Sequence, residues 1–98
     1  MTEPDTPQDL QQLHPADLAD HLQRLSPEEA REVILSLTRR KAAAALVDVE
    51  EEQALELIET LTDEQLIGLL VELPHNEAAD LLGFLPADRQ RVVLDRMP

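Results

Sequence analysis

Residues 62–85 read TDEQLIGLLVEL (62–73) followed by PHNEAADLLGFL (74–85), two units of twelve lying end to end. In both units the fifth, eighth, ninth and twelfth places are apolar: Leu66, Leu69, Leu70 and Leu73, then Ala78, Leu81, Leu82 and Leu85. Those places are spaced i, i+3, i+4, i+7, which is one stripe of an α-helix. A strand would need a period of two, and none is present. The frame extends outward without a gap. HPADLADHLQRL begins at 14, SPEEAREVILSL at 26, TRRKAAAALVDV at 38, EEEQALELIETL at 50 and PADRQRVVLDRM at 86. The ninth and twelfth places are apolar in every unit. His21 alone breaks the eighth place and Gln90 alone the fifth. Each unit is expected to be one short helix of about nine or ten residues, about 13 to 15 Å long.

The unit starts carry matching signals. Ser26-Pro27-Glu28-Glu29 reads as a capping box with proline at the first helical place, and Thr62-Asp63-Glu64-Gln65 as a second. His14-Pro15, Pro74 and Pro86 mark further starts, because the residue before proline avoids helical backbone. Acids gather in the first turns (Asp17, Glu28, Glu29, Glu51, Glu52, Asp63, Glu64, Glu77 and Asp88), where the helix dipole favours them.

Helices this short do not stand alone, so each must share its stripe with neighbours. The uniform spacing predicts stacked helix–turn–helix pairs, an all-α solenoid with a twelve-residue repeat. Alanines at the fifth place (Ala30, Ala42, Ala54, Ala78) would let helices approach closely. Residues 1–7, with two prolines, two threonines and two acids, read as a disordered tail. Residues 8–98 read as one helical-repeat domain. It opens on a partial unit over 8–13, with Leu10 and Leu13 in the ninth and twelfth places. At the other end Arg89, Gln90 and Arg91 make the last helix polar, as suits a terminal repeat.

The composition narrows the function. The formal charge is −13, from 21 acids against 8 bases, and Phe84 is the sole aromatic residue. Such a surface repels nucleic-acid phosphates and anionic lipid heads, and it has no stacking residues for bases. Without cysteine there is no disulfide framework and no thiolate metal site. No apolar run approaches the roughly 18 to 20 residues of a membrane span, and the acidic start is no secretory signal. The chain is expected to be soluble and cytoplasmic. It is also expected not to be an enzyme. No Gly-rich phosphate loop is present, since Gly68 and Gly83 both fall inside expected helices, and no nucleophile–His–acid signature occurs.

Several groups invite a functional reading beside a plain one. Glu77 and Asp80, at i, i+3, share a helix face: an ion-contacting pair, or only a solvated acidic surface. Glu50-Glu51-Glu52 is the densest acidic run, and dipole compensation explains it. Arg39-Arg40-Lys41 opens a helix with three cations, where the dipole disfavours them. They contact an acidic partner face, or they form an intramolecular salt network, for instance with Glu50–Glu52. His14, His21 and His75 are too scattered for a zinc site, and His21 reads as a partly exposed end-unit histidine.

The phrases LHPADLAD (13–20), LSPEEA (25–30) and LPHNEAADLL (73–82) resemble the cytoplasmic N-terminal domain of MgtE-type magnesium transporters over about residues 9–98. The resemblance implies a right-handed superhelix of short helices. It also implies a function: a regulatory magnesium-sensing domain of an MgtE-like divalent-cation transporter of the inner membrane. In that family Mg²⁺ sits between acidic faces of the superhelix and a pair of CBS domains, and the bridged contact closes the channel. The ion would bind weakly, at the interface with the partner domain, and a homodimer formed through the parent transporter is left open. Two family acids one turn apart fall in the unit 74–85. Asp80 matches the second, Asn76 stands at the first, and adjacent Glu77 could substitute. A further family glutamate falls at Ala44. The family's link into the CBS pair has no counterpart in this sequence. His14-Pro15 also echoes the middle domain of the flagellar switch protein FliG, which gives the alternative reading: a free-standing helical-repeat adaptor that binds protein without metal.

Overall fold

The computed structural model describes residues 10–98. The expected tail over 1–7, and residues 8 and 9 of the partial unit, lie outside the described residues. Each repeat unit forms one helix. The helices are α1 (Pro15–Gln23), α2 (Pro27–Ser36), α3 (Arg39–Asp48), α4 (Glu51–Thr60), α5 (Asp63–Leu70), α6 (His75–Leu82) and α7 (Ala87–Arg96). They run eight to ten residues, and α5 and α6 are the short ones at eight. Gly68 is inside α5 as expected, whereas Gly83 caps the end of α6 rather than lying within it.

The period is a period of backbone hydrogen bonds. The first residue of every unit is an extended N-cap whose carbonyl accepts from the N–H of the fifth: Leu18 to His14, Ala30 to Ser26, and so on to Gln90 and Pro86. At the other end, the N–H of the twelfth residue donates to the carbonyl of the ninth in all seven units, from Leu25 to Leu22 through to Met97 and Leu94. Leu13 donates to Leu10 in the same way, and Leu10 is buried, so the described part of the partial unit follows the same pattern.

The N–H of an N-cap residue also needs a partner, and for the six N-caps after His14 the sequence settles the need by three routes. Ser26 and Thr62 use their capping boxes: Glu29 accepts from the Ser26 N–H at 3.0 Å and Gln65 from the Thr62 N–H at 2.9 Å. Thr38 and Glu50 use glutamines from much earlier in the chain. Gln11 Oε1 accepts from the Thr38 N–H at 3.1 Å and Gln23 Oε1 from the Glu50 N–H at 2.7 Å. Pro74 and Pro86 have no N–H to satisfy.

Helix packing departs from the expected right-handed α-solenoid of stacked consecutive pairs. The most extensive contacts join helices two apart: α1 with α3, α2 with α4, α3 with α5, and α5 with α7. Consecutive helices touch less. The protein is an all-α bundle of seven short helices with non-sequential packing. Its radius of gyration is 12.9 Å, that of a compact chain of about 100 residues. The cause lies in the links. The residues after α2, α3 and α4 (Leu37, Val49, Leu61) and the N-caps that follow them are all extended. Two extended residues carry the chain onward instead of returning it alongside the helix just made. The apolar stripe then meets the helix before last.

The core follows the stripe. Leu18, Ile34, Leu46, Ile58, Leu66, Leu70 and Val93 are its largest fully enclosed side chains, and among the described residues no polar or charged residue is buried with them. Arg89 corrects the reading of a merely polar end. Its Nε donates to Asp63 at 2.9 Å, Nη1 to the carbonyl of Ile58 at 3.0 Å and Nη2 to the carbonyl of Leu61. Arg31 from α2 donates to the carbonyl of Thr60 at 3.1 Å. Two arginines thus close the negative end of α4, satisfying carbonyls that the helix leaves free.

Candidate functional site

Helix α6 makes no extensive contact with any other helix among the described residues. Its stripe of Ala78, Leu81 and Leu82 is buried, and the helix and the end of α3 together border an open cleft. That cleft is about 240 Å³. Its floor is apolar: Leu46, Val47 and Val49 from the end of α3, with Leu81 and Phe84 from α6 and the turn after it. Its polar lining is Asp48, Glu77 and Asp80.

The structure therefore brings Glu77 and Asp80 together on one cleft, as their spacing implied, and adds Asp48 to them. Glu77 is half-buried, while Asp48 and Asp80 are exposed. No lysine or arginine is among the lining residues, and none of the three acids forms an ion pair among the described residues. Asn76, on the first turn of α6, is exposed and does not line the cleft. Ala44, where the resemblance would put a further acid, is half-buried in α3.

Sequence reasoning missed Asp48 because it belongs to another helix, far from Glu77 in the chain. A signal existed. Asp48 is the last residue of α3, where the dipole favours a cation, and α3 has no basic residue in its last turn. Among the described residues no three acid or histidine side chains converge closely enough to hold a metal ion by themselves. The three carboxylates are spread along a rim rather than gathered to a point.

The other marked residues lie elsewhere. Arg39 and Arg40 are exposed and Lys41 half-buried on the first turn of α3. Among the described residues they pair with no acid, so the expected network with Glu50–Glu52 does not form. Glu51 and Glu52 occupy the first turn of α4, as dipole compensation requires. His14 caps α1, its Nδ1 accepting from the Ala16 N–H at 3.3 Å. His21 is half-buried and His75 exposed.

Among the described residues no helix is long and apolar enough to cross a membrane. The comparison with curated proteins returns no match. The family model described as the MgtE intracellular N domain matches residues 13–98, the whole helical array from α1 to α7. The chain belongs to the MgtE intracellular N domain family, a non-catalytic regulatory domain.

Proposed function

We propose that this domain senses Mg²⁺ for an MgtE-like transporter, through the Asp48–Glu77–Asp80 rim and a facing CBS pair. One observation carries the reading: three carboxylates from two helices line a single cleft that has no cation in its lining. Like charges on one rim repel, and a partner face of the same sign would be held off. A divalent cation between the faces converts that repulsion into a bridge.

The donor set suits the ion. Mg²⁺ takes carboxylate oxygens, keeps several of its waters and commonly uses only one or two carboxylates from a protein face. A rim too open to enclose an ion is consistent with a site completed by a second domain. The weak attachment of α6 also fits a regulatory role, because α6 can respond to the partner without disturbing the seams between α1, α3, α5 and α7. On this reading the domain works from the cytoplasm as part of an inner-membrane transporter, and Mg²⁺ binding holds the channel closed.

Manganese provides the test, since it accepts the same ligands and broadens nearby resonances. With a trace of Mn²⁺, the amides of residues 46–49 and 77–84 are expected to broaden first and to recover with excess Mg²⁺. Equal broadening at every acidic helix start, including Glu50–Glu52, would refute the assignment.

A further inference from the structure

The net charge of −13 makes a run of three cations in this molecule conspicuous. Three of its 8 bases, Arg39, Arg40 and Lys41, are consecutive. They occupy the first turn of α3, where the dipole works against them, and among the described residues no acid neutralises them. Of the other five bases, Arg31, Arg89 and Arg96 have acidic partners within 4.0 Å, while Arg24 and Arg91 stand singly without one among the described residues. Arg39, the first of the three, borders a second cleft, of about 270 Å³, between the end of α2, the start of α3 and the start of α5. Ile34, Leu35, Leu37 and Leu69 form its apolar part, and Leu35 is left 42% exposed. Arg39 lines it directly, its guanidinium lying over Gly68 of α5. Glu64 is the sole acid on the lining and makes no ion pair with Arg39.

We propose that this cleft docks an acidic peptide segment of a partner protein, with an aliphatic side chain seated against Leu35 and flanking carboxylates on Arg39, Arg40 and Lys41. The volume is smaller than the roughly 300 to 1,000 Å³ of small-molecule pockets and suits one or two side chains. Cations beside an apolar seat give such a segment both orientation and anchorage. Nucleic acid and anionic lipid carry the same sign as the bound segment, but they are large polyanions and the rest of this surface repels them. A short peptide touches the cations and the cleft alone. This site is separate from the Asp48–Glu77–Asp80 rim and needs no divalent ion.

The test uses the full chain in EDTA, so that it reads nothing from cation binding at the other face. The probe is a fluorescein-labelled peptide of sequence EDLEDL, followed by anisotropy. Saturable binding is expected, with amide shifts at Leu35, Arg39, Arg40, Lys41 and Leu69. The variant R39E/R40E/K41E is expected to weaken it by about tenfold or more. That variant places acids on a helix first turn, where they favour folding, and circular dichroism checks its helix content. Leu35→Ser is expected to weaken binding by about threefold or more through the lost apolar contact. No saturable binding, or equal affinity in the triple variant, overturns the proposal. So does tighter binding after E3Q/D5N/D9N, which would identify the chain's own acidic end as the occupant.

Discussion

At the start of α2, Glu29 accepts from the Ser26 N–H while its own N–H donates to Ser26 Oγ at 3.2 Å. The backbone hydrogen bond first, and the Ser26 hydroxyl second, hold the Glu29 carboxyl below the usual glutamate range. A lowered folded-state pKa means that the carboxylate stabilises the fold at pH above the ordinary glutamate value. The contribution fades as pH falls through the lowered one. Titrating the side-chain carboxyl by carbon NMR should therefore give a midpoint below the ordinary glutamate value, and Ser26→Ala should raise it. Gly68 offers a second check. A Cβ placed there would lie 3.3 Å from Arg39 Nε, the far end of a flexible side chain that can move aside. Glycine inside a helix costs about 1 kcal/mol relative to alanine. Urea unfolding of Gly68→Ala should show a gain of up to about 1 kcal/mol. A loss would mean that Arg39 is fixed over α5. Both capping boxes could be read from the sequence because their partners are three residues apart. The Arg89 clamp could not, since its carbonyls lie about thirty residues back and the sequence offers only a charged residue at an end.

Each helix was legible from its stripe and its start signals, and the twelve-residue frame holds in the hydrogen bonds of all seven units. Which helices meet was not legible. A stripe says what is buried, and seven nearly identical stripes do not say against what. Polar contacts distant in sequence carry part of that information. Gln11 in the partial unit and Gln23 at the end of α1 reach across 27 residues to the N-caps of α3 and α4, which directly follow α2 and α3. Nothing near them in sequence announces the task. Gln23→Ala should leave the Glu50 N–H without its protein partner and cost about 1 kcal/mol. An equilibrium melt should show this without a change in the cooperativity of unfolding. No measurable effect would mean that water replaces the amide at that exposed helix start.

Across the whole molecule, non-sequential packing ties α3 to both α1 and α5, ties α5 on to α7, and leaves α6 with the lightest attachment. Leu70, at 1% exposure, belongs to the α5 seam between α3 and α7. Leu70→Ala should cost roughly 2 to 5 kcal/mol in chemical denaturation, as mid-core truncations do. A cost below about 1 kcal/mol would show that the seam is not a core. The acidic face was half legible. Glu77 and Asp80 share one helix and one motif, whereas Asp48 joins them only because the end of α3 borders the same cleft as α6. The proposal of Mg²⁺ rests on carboxylate chemistry and not on an enclosed cage, since no three acid or histidine side chains among the described residues gather to hold an ion.

The most direct measurement is a titration of Mg²⁺ into the isotope-labelled chain, following backbone amide shifts, with an Na⁺ control matched for ionic strength. The sensing reading predicts saturable shifts concentrated at Asp48, Glu77, Asp80 and Phe84, produced by Mg²⁺ and not by Na⁺. Small shifts spread over all acidic helix starts and reproduced by Na⁺ would contradict it, leaving only the screening of a highly charged surface.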